Sequence, residues 1–147
     1  MAQILSISMQ VEIKSRADVF YGFLKDKVPQ YPQLYPEAIK GFKFLEGSDE
    51  VRDGAVVCYE YGLGGSTMTI KEKLEVNESS KSINFVMMEG DVLKLYNSIK
   101  YKFQVNSGYV KVDIEFEKAS EDTPNPDGYI DMISELIKRL ETCLCST

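Results

Sequence analysis

The spacing of apolar residues changes once along this chain, and the change limits the folds that it can adopt. Between residues 39 and 116, apolar side chains mostly recur at every second position, in runs separated by glycine, asparagine and serine. After Pro126 they recur every three or four positions. These later positions are Tyr129, Met132, Ile133, Leu136, Ile137, Leu140 and Leu144. The first spacing is typical of strands with one buried face and the second of an amphipathic helix, so an α+β fold is predicted.

Seven strands are predicted, and most of them follow one another through short turns, which favours an antiparallel sheet. The first is predicted from Leu5 to Ile13, where apolar residues alternate with polar ones. The other six are predicted over residues 39–45, 55–61, 68–76, 83–87, 95–105 and 110–116. Gly62, Gly64 and Gly65 indicate one of the turns between them.

Two short helices are predicted between the first two strands. Ser15 is expected to cap the first, whose apolar face includes Phe20. Pro29 and Pro36 follow closely, and proline interrupts the hydrogen bonding of a helix. Only one further helical turn, around residues 31–35, is therefore expected before the second strand.

The predicted sheet is too large for one helix to fill. A twisted sheet must cover its concave apolar face, and a single helix is only about 10 Å across. The sequence therefore predicts an internal cavity between the seven-stranded curved sheet and the long C-terminal helix. No repeat or linker interrupts the pattern, so a single domain over residues 1–147 is expected.

Charge and composition exclude several classes of function. The 17 basic and 23 acidic residues give a net charge of −6, which disfavours a nucleic-acid partner. The chain has no histidine, the commonest metal ligand and acid–base catalyst, so no metal or other cofactor is expected. The apolar runs are too short to span a membrane, and residues 1–4 lack the pattern of a secretory signal. Three cysteines, an odd number, suit a reducing cytoplasm.

Short motifs in a consistent order along the chain allow a comparison with known families. They are Gln10–Ser15, Ala17–Tyr21, Glu46–Gly47, Ile70–Lys73, Lys81–Ser82, Glu89–Asp91, Phe116–Lys118, Pro124–Pro126 and Tyr129–Ile130. Together they resemble the plant Bet v I superfamily of pathogenesis-related proteins, and most closely its major latex protein branch. The resemblance implies a START-like helix-grip fold, in which the sheet closes over the long helix. A shared fold does not by itself fix the activity.

The chain departs from the family pattern at two places. Where pathogenesis-related relatives have a glycine-rich loop, residues 47–54 keep two glycines and contain three acids and one arginine. We expect this loop to repel a phosphate rather than bind it. Tyr59 occupies the position of a tryptophan that is common in the latex branch, which changes the expected pocket wall.

Glu72 is in phase with Ile70 and Leu74 and is expected to point inward. The resemblance also implies an acid at this position. An ionised carboxylate in an apolar cavity is costly, so the group should be paired, hydrated or protonated. It would then be a polar anchor or general acid for a ligand. The alternative is a structural role, in a strand bulge or a bond to a tyrosine.

The predicted ligand contacts are inward-facing residues of the strands and apolar residues of the helices. They are Phe23, Tyr31, Ile39, Val57, Tyr59, Tyr61, Met68, Ile70, Glu72, Ile83, Phe85, Met87, Ile99, Tyr101, Met132, Ile133, Leu136 and Ile137. For the tyrosines, the alternative is simple packing with the hydroxyl bonded to backbone or water. For the methionines, it is ordinary core filling.

The predicted cavity and the resemblance lead to two hypotheses. The first is intracellular binding, storage or transport of a small hydrophobic ligand: a plant metabolite, hormone or xenobiotic. The resemblance links this role to plant defence and stress. The protein would be a monomer or weak dimer, with neither nucleic acid nor membrane as a partner. The alternative is an enzyme of specialised metabolism, of cyclase or isomerase type, with Glu72 and Tyr59 or Tyr101 as acid–base groups. We favour binding, because nothing in the sequence requires catalysis.

Overall fold

The computed structural model of the protein describes residues 3–63 and 65–146. Met1, Ala2, Thr147 and the predicted turn residue Gly64 lie outside the described residues. The strands are β1 (Leu5–Glu12), β2 (Ile39–Leu45), β3 (Val56–Leu63), β4 (Ser66–Asn77), β5 (Ser82–Gly90), β6 (Tyr96–Asn106) and β7 (Tyr109–Lys118). The helices are α1 (Ala17–Asp26), α2 (Tyr31–Leu34) and α3 (Asp127–Cys145), with 3-10 turns at Val28–Gln30 and Asp91–Lys94.

The strands form one antiparallel sheet in the order β1-β7-β6-β5-β4-β3-β2. Each strand from β2 to β6 pairs with the one that follows it in the chain, and β1 pairs with β7. The curved sheet and the long C-terminal helix confirm the predicted helix-grip architecture. The first and last segments of the chain thereby lie at the same side of the core, where α3 packs against α1 and β1.

Alternation along β7 shows why the sheet has one apolar face. Val112 and Ile114 are fully buried on the concave side. On the other side, Glu115 pairs with Lys102 of β6 at 3.2 Å. A surface pair of opposite charges on neighbouring strands stabilises the sheet only slightly, so the buried face sets the register of the strands.

No helix among the described residues is long and apolar enough to cross a membrane.

Arg139 fixes the C-terminal half of helix α3. The guanidinium makes a bidentate pair with Glu37, donates to the Leu34 carbonyl oxygen at 3.3 Å and bonds Glu135 at 2.9 Å. It also lies 4.3 Å from the centre of the Tyr35 ring. The planar fork of arginine allows all of these contacts at once. They join α3 to the segment that follows α2.

Ser15 does not cap helix α1 as the sequence suggests. The N-cap residue is Arg16, and no side chain bonds the first turn. The Ser15 hydroxyl instead donates to Glu141 of α3, which also accepts the backbone N–H groups of Lys14 and Ser15. A carboxylate from the far end of the chain therefore satisfies donors just before the helix. Local sequence contains no signal for that contact.

A β-bulge distorts β5 opposite Glu72. Lys71 pairs with Glu89 and Glu72 pairs with Met87, so Met88 is the extra residue on β5. Gly90 follows with φ of 141°, and a Cβ atom there would lie 2.4 Å from the Thr69 carbonyl oxygen. Only glycine fits this close approach of two strands. Bulges of this kind bend a strand and re-aim its side chains.

Candidate functional site

A cavity lies between the concave face of the sheet and the middle of α3. Its walls come from α2, α3 and strands β2 to β6. The lining residues are Tyr31, Ile39, Tyr59, Tyr61, Ile70, Glu72, Phe85, Tyr101, Phe103, Met132, Ile133 and Leu136. About 490 Å³ is free of atoms, part of it open to solvent, and the centre of a water-sized sphere can move through about 60 Å³ of it. The cavity is therefore narrow, and a bulky occupant would have to displace side chains.

The structure brings most of the sequence-predicted contacts to this cavity. Those at its walls are Tyr31, Ile39, Tyr59, Tyr61, Ile70, Glu72, Phe85, Tyr101, Met132, Ile133 and Leu136. Those away from its walls are Phe23, Val57, Met68, Ile83, Met87, Ile99 and Ile137. Most of the second group are buried elsewhere in the core. Phe23 and Met68 are half-buried at the periphery of the core.

Phe103 lines the cavity although it is absent from the predicted contacts. It shares a face of β6 with Tyr101, two residues earlier, so the alternation already indicated its direction. Its ring packs edge-on against Phe85 with 5.5 Å between the centroids. No pattern of residues indicates how far along β6 the cavity extends.

Tyr31 and Tyr59 fill the end of the cavity beside α1. Their rings are nearly parallel, with centroids 6.1 Å apart. The Tyr31 hydroxyl donates to the Leu24 carbonyl oxygen at 2.8 Å, and the Tyr59 hydroxyl donates to the Val28 carbonyl oxygen at 2.7 Å. These carbonyls belong to the end of α1 and the following turn, where helices leave acceptors without a partner. Burial raises the pKa of both phenols, so both stay neutral.

Tyr61 connects the sheet to the start of α3. Its hydroxyl lies 2.8 Å from the hydroxyl of Tyr129, and either oxygen can donate. Burial, followed by this hydrogen bond, raises the pKa of Tyr61. The Tyr129 ring also lies 6.0 Å from that of Tyr101. Aromatic side chains thus form much of the wall around the cavity.

Tyr101 differs from these tyrosines because its hydroxyl has no hydrogen-bond partner within residues 3–63 and 65–146. The residue is buried on β6. The hydroxyl oxygen keeps some accessible surface, and the residue lines the cavity. Burial is the main cause that raises the pKa of this phenol, and the nearby Glu72 adds to it.

Glu72 is the one acidic residue among the cavity-lining side chains of the described chain. It is 3% exposed on β4, between Val57 of β3 and Met87 of β5. Its carboxyl makes no hydrogen bond with any described residue, so the structural alternative of a bond to a tyrosine is not what the geometry shows. Burial raises the pKa of Glu72 to about 8. Near pH 7 the group is therefore mainly a carboxylic acid, able to donate and to accept a hydrogen bond.

A scan against family models identifies the fold. The model described as the pathogenesis-related protein Bet v 1 family matches residues 2–147. The chain belongs to this family. Proteins of the Bet v 1 family generally bind small hydrophobic ligands.

Relatives of this Bet v 1 chain confirm the resemblance to major latex proteins. Major latex protein 146 of Papaver somniferum is 28% identical over 95% of this chain and 90% of its own length. MLP-like protein 28 of Arabidopsis thaliana is 30% identical over 92% of this chain, which spans 42% of that protein. The solved structure of ginseng major latex-like protein 151 from Panax ginseng has a TM-score of 0.87 at 28% identity, covering 95% and 96% of the two chains. Norcoclaurine synthase from Thalictrum flavum shares the fold alone, with a TM-score of 0.78 at 16% identity.

The loop between β2 and β3 of this Bet v 1 chain is tied down by its own contacts. The Ser48 hydroxyl oxygen accepts the Val56 N–H at 3.0 Å, and an Asp53 carboxylate oxygen accepts the Val76 N–H at 2.9 Å. The loop arginine, Arg52, lies 3.4 Å from the carboxylate of its neighbour Glu50. No cation in this described loop is left without an acid beside it, which does not favour a phosphate.

Among the described residues, no cluster of cysteine, aspartate and glutamate side chains could hold a metal ion. The cysteines are free: Cys58 is buried, Cys143 half-buried and Cys145 exposed. What the site can do is enclose an apolar molecule and offer it a carboxylic acid and a hydroxyl.

Proposed function

We propose that this Bet v 1 family protein binds a small hydrophobic molecule in the cavity and stores or transports it inside the cell. The observation that supports this most is an apolar space with aromatic walls that contains two polar side chains, Glu72 and Tyr101, with no hydrogen-bond partner among the described residues. Binding pockets typically have apolar walls with few, well-placed polar groups. The ligand would be a plant metabolite, hormone or xenobiotic, and the family links the role to plant defence and stress.

Burial of apolar surface would supply most of the affinity. A ligand that hides about 300 Å² of apolar surface gains roughly 7 kcal/mol at about 25 cal/mol/Å². The loss of translational and rotational freedom costs roughly 4 kcal/mol or more. The difference corresponds to millimolar-to-micromolar affinity, which polar contacts inside the cavity would strengthen. Modest, size-limited selectivity follows from these values and from the narrow cavity.

Binding of an apolar fluorescent probe tests this function. We expect saturable fluorescence enhancement by 1-anilinonaphthalene-8-sulfonate or its uncharged parent N-phenyl-1-naphthylamine, with the uncharged probe favoured because no cation lines the described part of the cavity. A hydrophobic competitor such as indane should displace it at micromolar-to-millimolar concentration. Replacing Leu136, a wall residue on α3, with tryptophan should fill the space and weaken the binding of both the probe and the competitor. Non-saturable binding, unchanged in that variant, would contradict the proposal.

Catalysis is a second candidate because of Glu72. A carboxylic acid with a pKa near neutrality is suited to donate a proton, and Tyr101 lies on the same cavity. The fold is also that of norcoclaurine synthase, a likeness of fold only at 16% identity. An enzyme of cyclase or isomerase type would lose turnover in Glu72→Gln while still binding its substrate. Equal loss of binding and turnover would mean that Glu72 contributes to substrate binding and not to proton transfer.

We also propose that the protein does not bind RNA. The net charge is −6, and residues 47–54 present acids at the place where a phosphate would have to lie. We expect no electrophoretic shift of single-stranded or structured RNA near physiological salt. A salt-sensitive shift that is lost in Arg52→Ala would contradict this expectation. The free thiols of Cys58, Cys143 and Cys145 suit a reducing compartment, and we further propose a cytoplasmic monomer or weak dimer.

A further inference from the structure

The polar groups around the cavity differ in whether they already have a partner. The hydroxyls of Tyr31 and Tyr59 donate to backbone carbonyl oxygens, and the hydroxyl of Tyr61 is bonded to Tyr129. Among the described residues, Glu72 and Tyr101 make no side-chain hydrogen bond, although both line the cavity. A buried polar group without a partner costs free energy that a bound molecule with the right atoms can recover.

The surroundings of Glu72 favour its protonated form. No lysine or arginine lines the described part of the cavity, so no cation is available to hold a carboxylate there. The titratable groups coupled to Glu72 are the phenols of Tyr31, Tyr59, Tyr61 and Tyr101 and the thiol of Cys58, all of which have raised pKa values and are neutral near pH 7. The burial of Glu72 alone raises its pKa to about 8. The cavity wall therefore presents two O–H donors.

We propose that Glu72 and Tyr101 together select an uncharged ligand whose hydrogen-bond acceptor, such as a ketone oxygen, faces their two hydroxyl groups. This inference rests on the proposed binding function. An anionic ligand would enter a space without a cation and with an acid on its wall. An ammonium ligand would require a buried ion pair, whose desolvation cost can exceed its electrostatic gain. A neutral acceptor avoids both costs and gives both donors a partner.

A set of ligands with one bicyclic carbon frame tests the selection. Indane has no polar group, 1-indanone adds a ketone, 1-aminoindane adds a basic amine and indane-1-carboxylate adds an anion. Displacement of N-phenyl-1-naphthylamine near pH 6.5 gives their relative affinities, with Glu72 protonated. We expect 1-indanone to bind about tenfold more tightly than indane, because its ketone oxygen accepts hydrogen bonds from the two O–H groups. The amine and the carboxylate should bind less tightly than indane.

Two tyrosines of β6 provide a matched pair of variants. Tyr101→Phe removes the hydroxyl without a partner and should reduce the advantage of 1-indanone over indane several-fold. Tyr96 is also buried, but its hydroxyl donates to the Pro124 carbonyl oxygen at 2.6 Å and it does not line the cavity. Tyr96→Phe should therefore leave the ratio of the two affinities unchanged while lowering stability. Glu72→Leu should reduce the ratio in the same direction as Tyr101→Phe.

The wild-type protein provides a test that needs no variant. Above about pH 9, when Glu72 is ionised and no longer donates a hydrogen bond, the advantage of 1-indanone over indane should fall. Equal affinity for indane and 1-indanone near pH 6.5 would overturn the inference while leaving the binding function intact. Tightest binding of 1-aminoindane with release of a proton, detected as a buffer-dependent heat in calorimetry, would also overturn it. If neither the probe nor any of the four indane-based ligands binds, the binding function itself is refuted.

Discussion

Replacing Glu72 with glutamine should stabilise the protein by an amount that increases with pH. Burial raises the pKa of Glu72 from 4.5 to about 8 in the folded protein. Below pH 4.5 the side chain is protonated in both the folded and the unfolded chain and costs little. As pH rises from about 4.5 to about 8, the side chain is ionised in the unfolded chain but still protonated in the folded protein. The free energy of unfolding of the wild-type protein therefore falls over this range and levels off above about pH 8. Glutamine has no proton to lose and avoids this loss.

The expected size of the difference is large for a single substitution. The shift in pKa corresponds to about 4 to 5 kcal/mol of unfolding free energy once the pH is above both values, and penetration of water into the cavity would reduce it. Urea denaturation of both proteins near pH 5, 7 and 9 measures the difference directly. At about pH 5 the two proteins should be nearly equal in stability.

Glu75 on the same strand supplies the control. It is exposed, and hydrogen bonds from Asn84 and then Lys100 lower its pKa. Its contribution to stability is present above its unfolded pKa and is lost only as pH falls through the lower folded value. The difference between wild type and Glu75→Gln should therefore not grow from neutral to alkaline pH. A pH-independent difference for Glu72→Gln would mean that its carboxyl is ionised or solvated in the folded protein.

The sequence was sufficient for the faces of the strands and for the type of fold. The predicted second strand, residues 39–45, has the bounds of β2. The phase of Glu72 with Ile70 and Leu74 indicated that its side chain points inward, and all three are buried. This information is local, because alternate residues of a strand face opposite sides whatever the strand pairs with.

Partners of the polar groups could not be predicted from the sequence. The hydroxyls of Tyr31 and Tyr101 look alike in the chain, yet one donates to Leu24 and the other has no partner among the described residues. The contact of Ser15 with Glu141 joins residues that are 126 positions apart. The size of the cavity likewise depends on how the aromatic side chains are oriented in the folded protein. Such features follow from three-dimensional packing rather than from periodicity.

Removing the ring of Tyr59 should both destabilise the fold and enlarge the cavity. The ring stacks against Tyr31, and its centroid lies 5.1 Å from that of Phe42. Its hydroxyl also gives the Val28 carbonyl oxygen a partner. Truncation of a buried aromatic residue to alanine costs about 3–5 kcal/mol, which reflects lost burial and the cavity left behind. We expect a loss of that size for Tyr59→Ala.

The matched variant Tyr59→Phe separates the ring from the hydroxyl. It keeps the aromatic packing and leaves the Val28 carbonyl oxygen without its donor, for an expected loss of about 1–3 kcal/mol. Urea denaturation of both variants near pH 6 measures the two losses. A loss in Tyr59→Phe as large as that in Tyr59→Ala would show that the hydroxyl, rather than the ring, accounts for the contribution of Tyr59.

The same pair of variants tests whether the Tyr59 ring limits the size of the ligand. Fluorenone has a ketone oxygen like that of 1-indanone on a larger ring system, so the comparison separates the effect of ligand size from that of ligand polarity. In Tyr59→Phe, the ring still occupies the end of the cavity, and 1-indanone should be preferred. In Tyr59→Ala, the vacated space should favour fluorenone, improving its affinity relative to 1-indanone by about tenfold, since each additional buried methylene-sized group is worth about 0.8 kcal/mol. If the ratio of the two affinities is the same in both variants, either the neighbouring rings collapse into the space or the larger ligand binds elsewhere, and Tyr59 does not set the size limit.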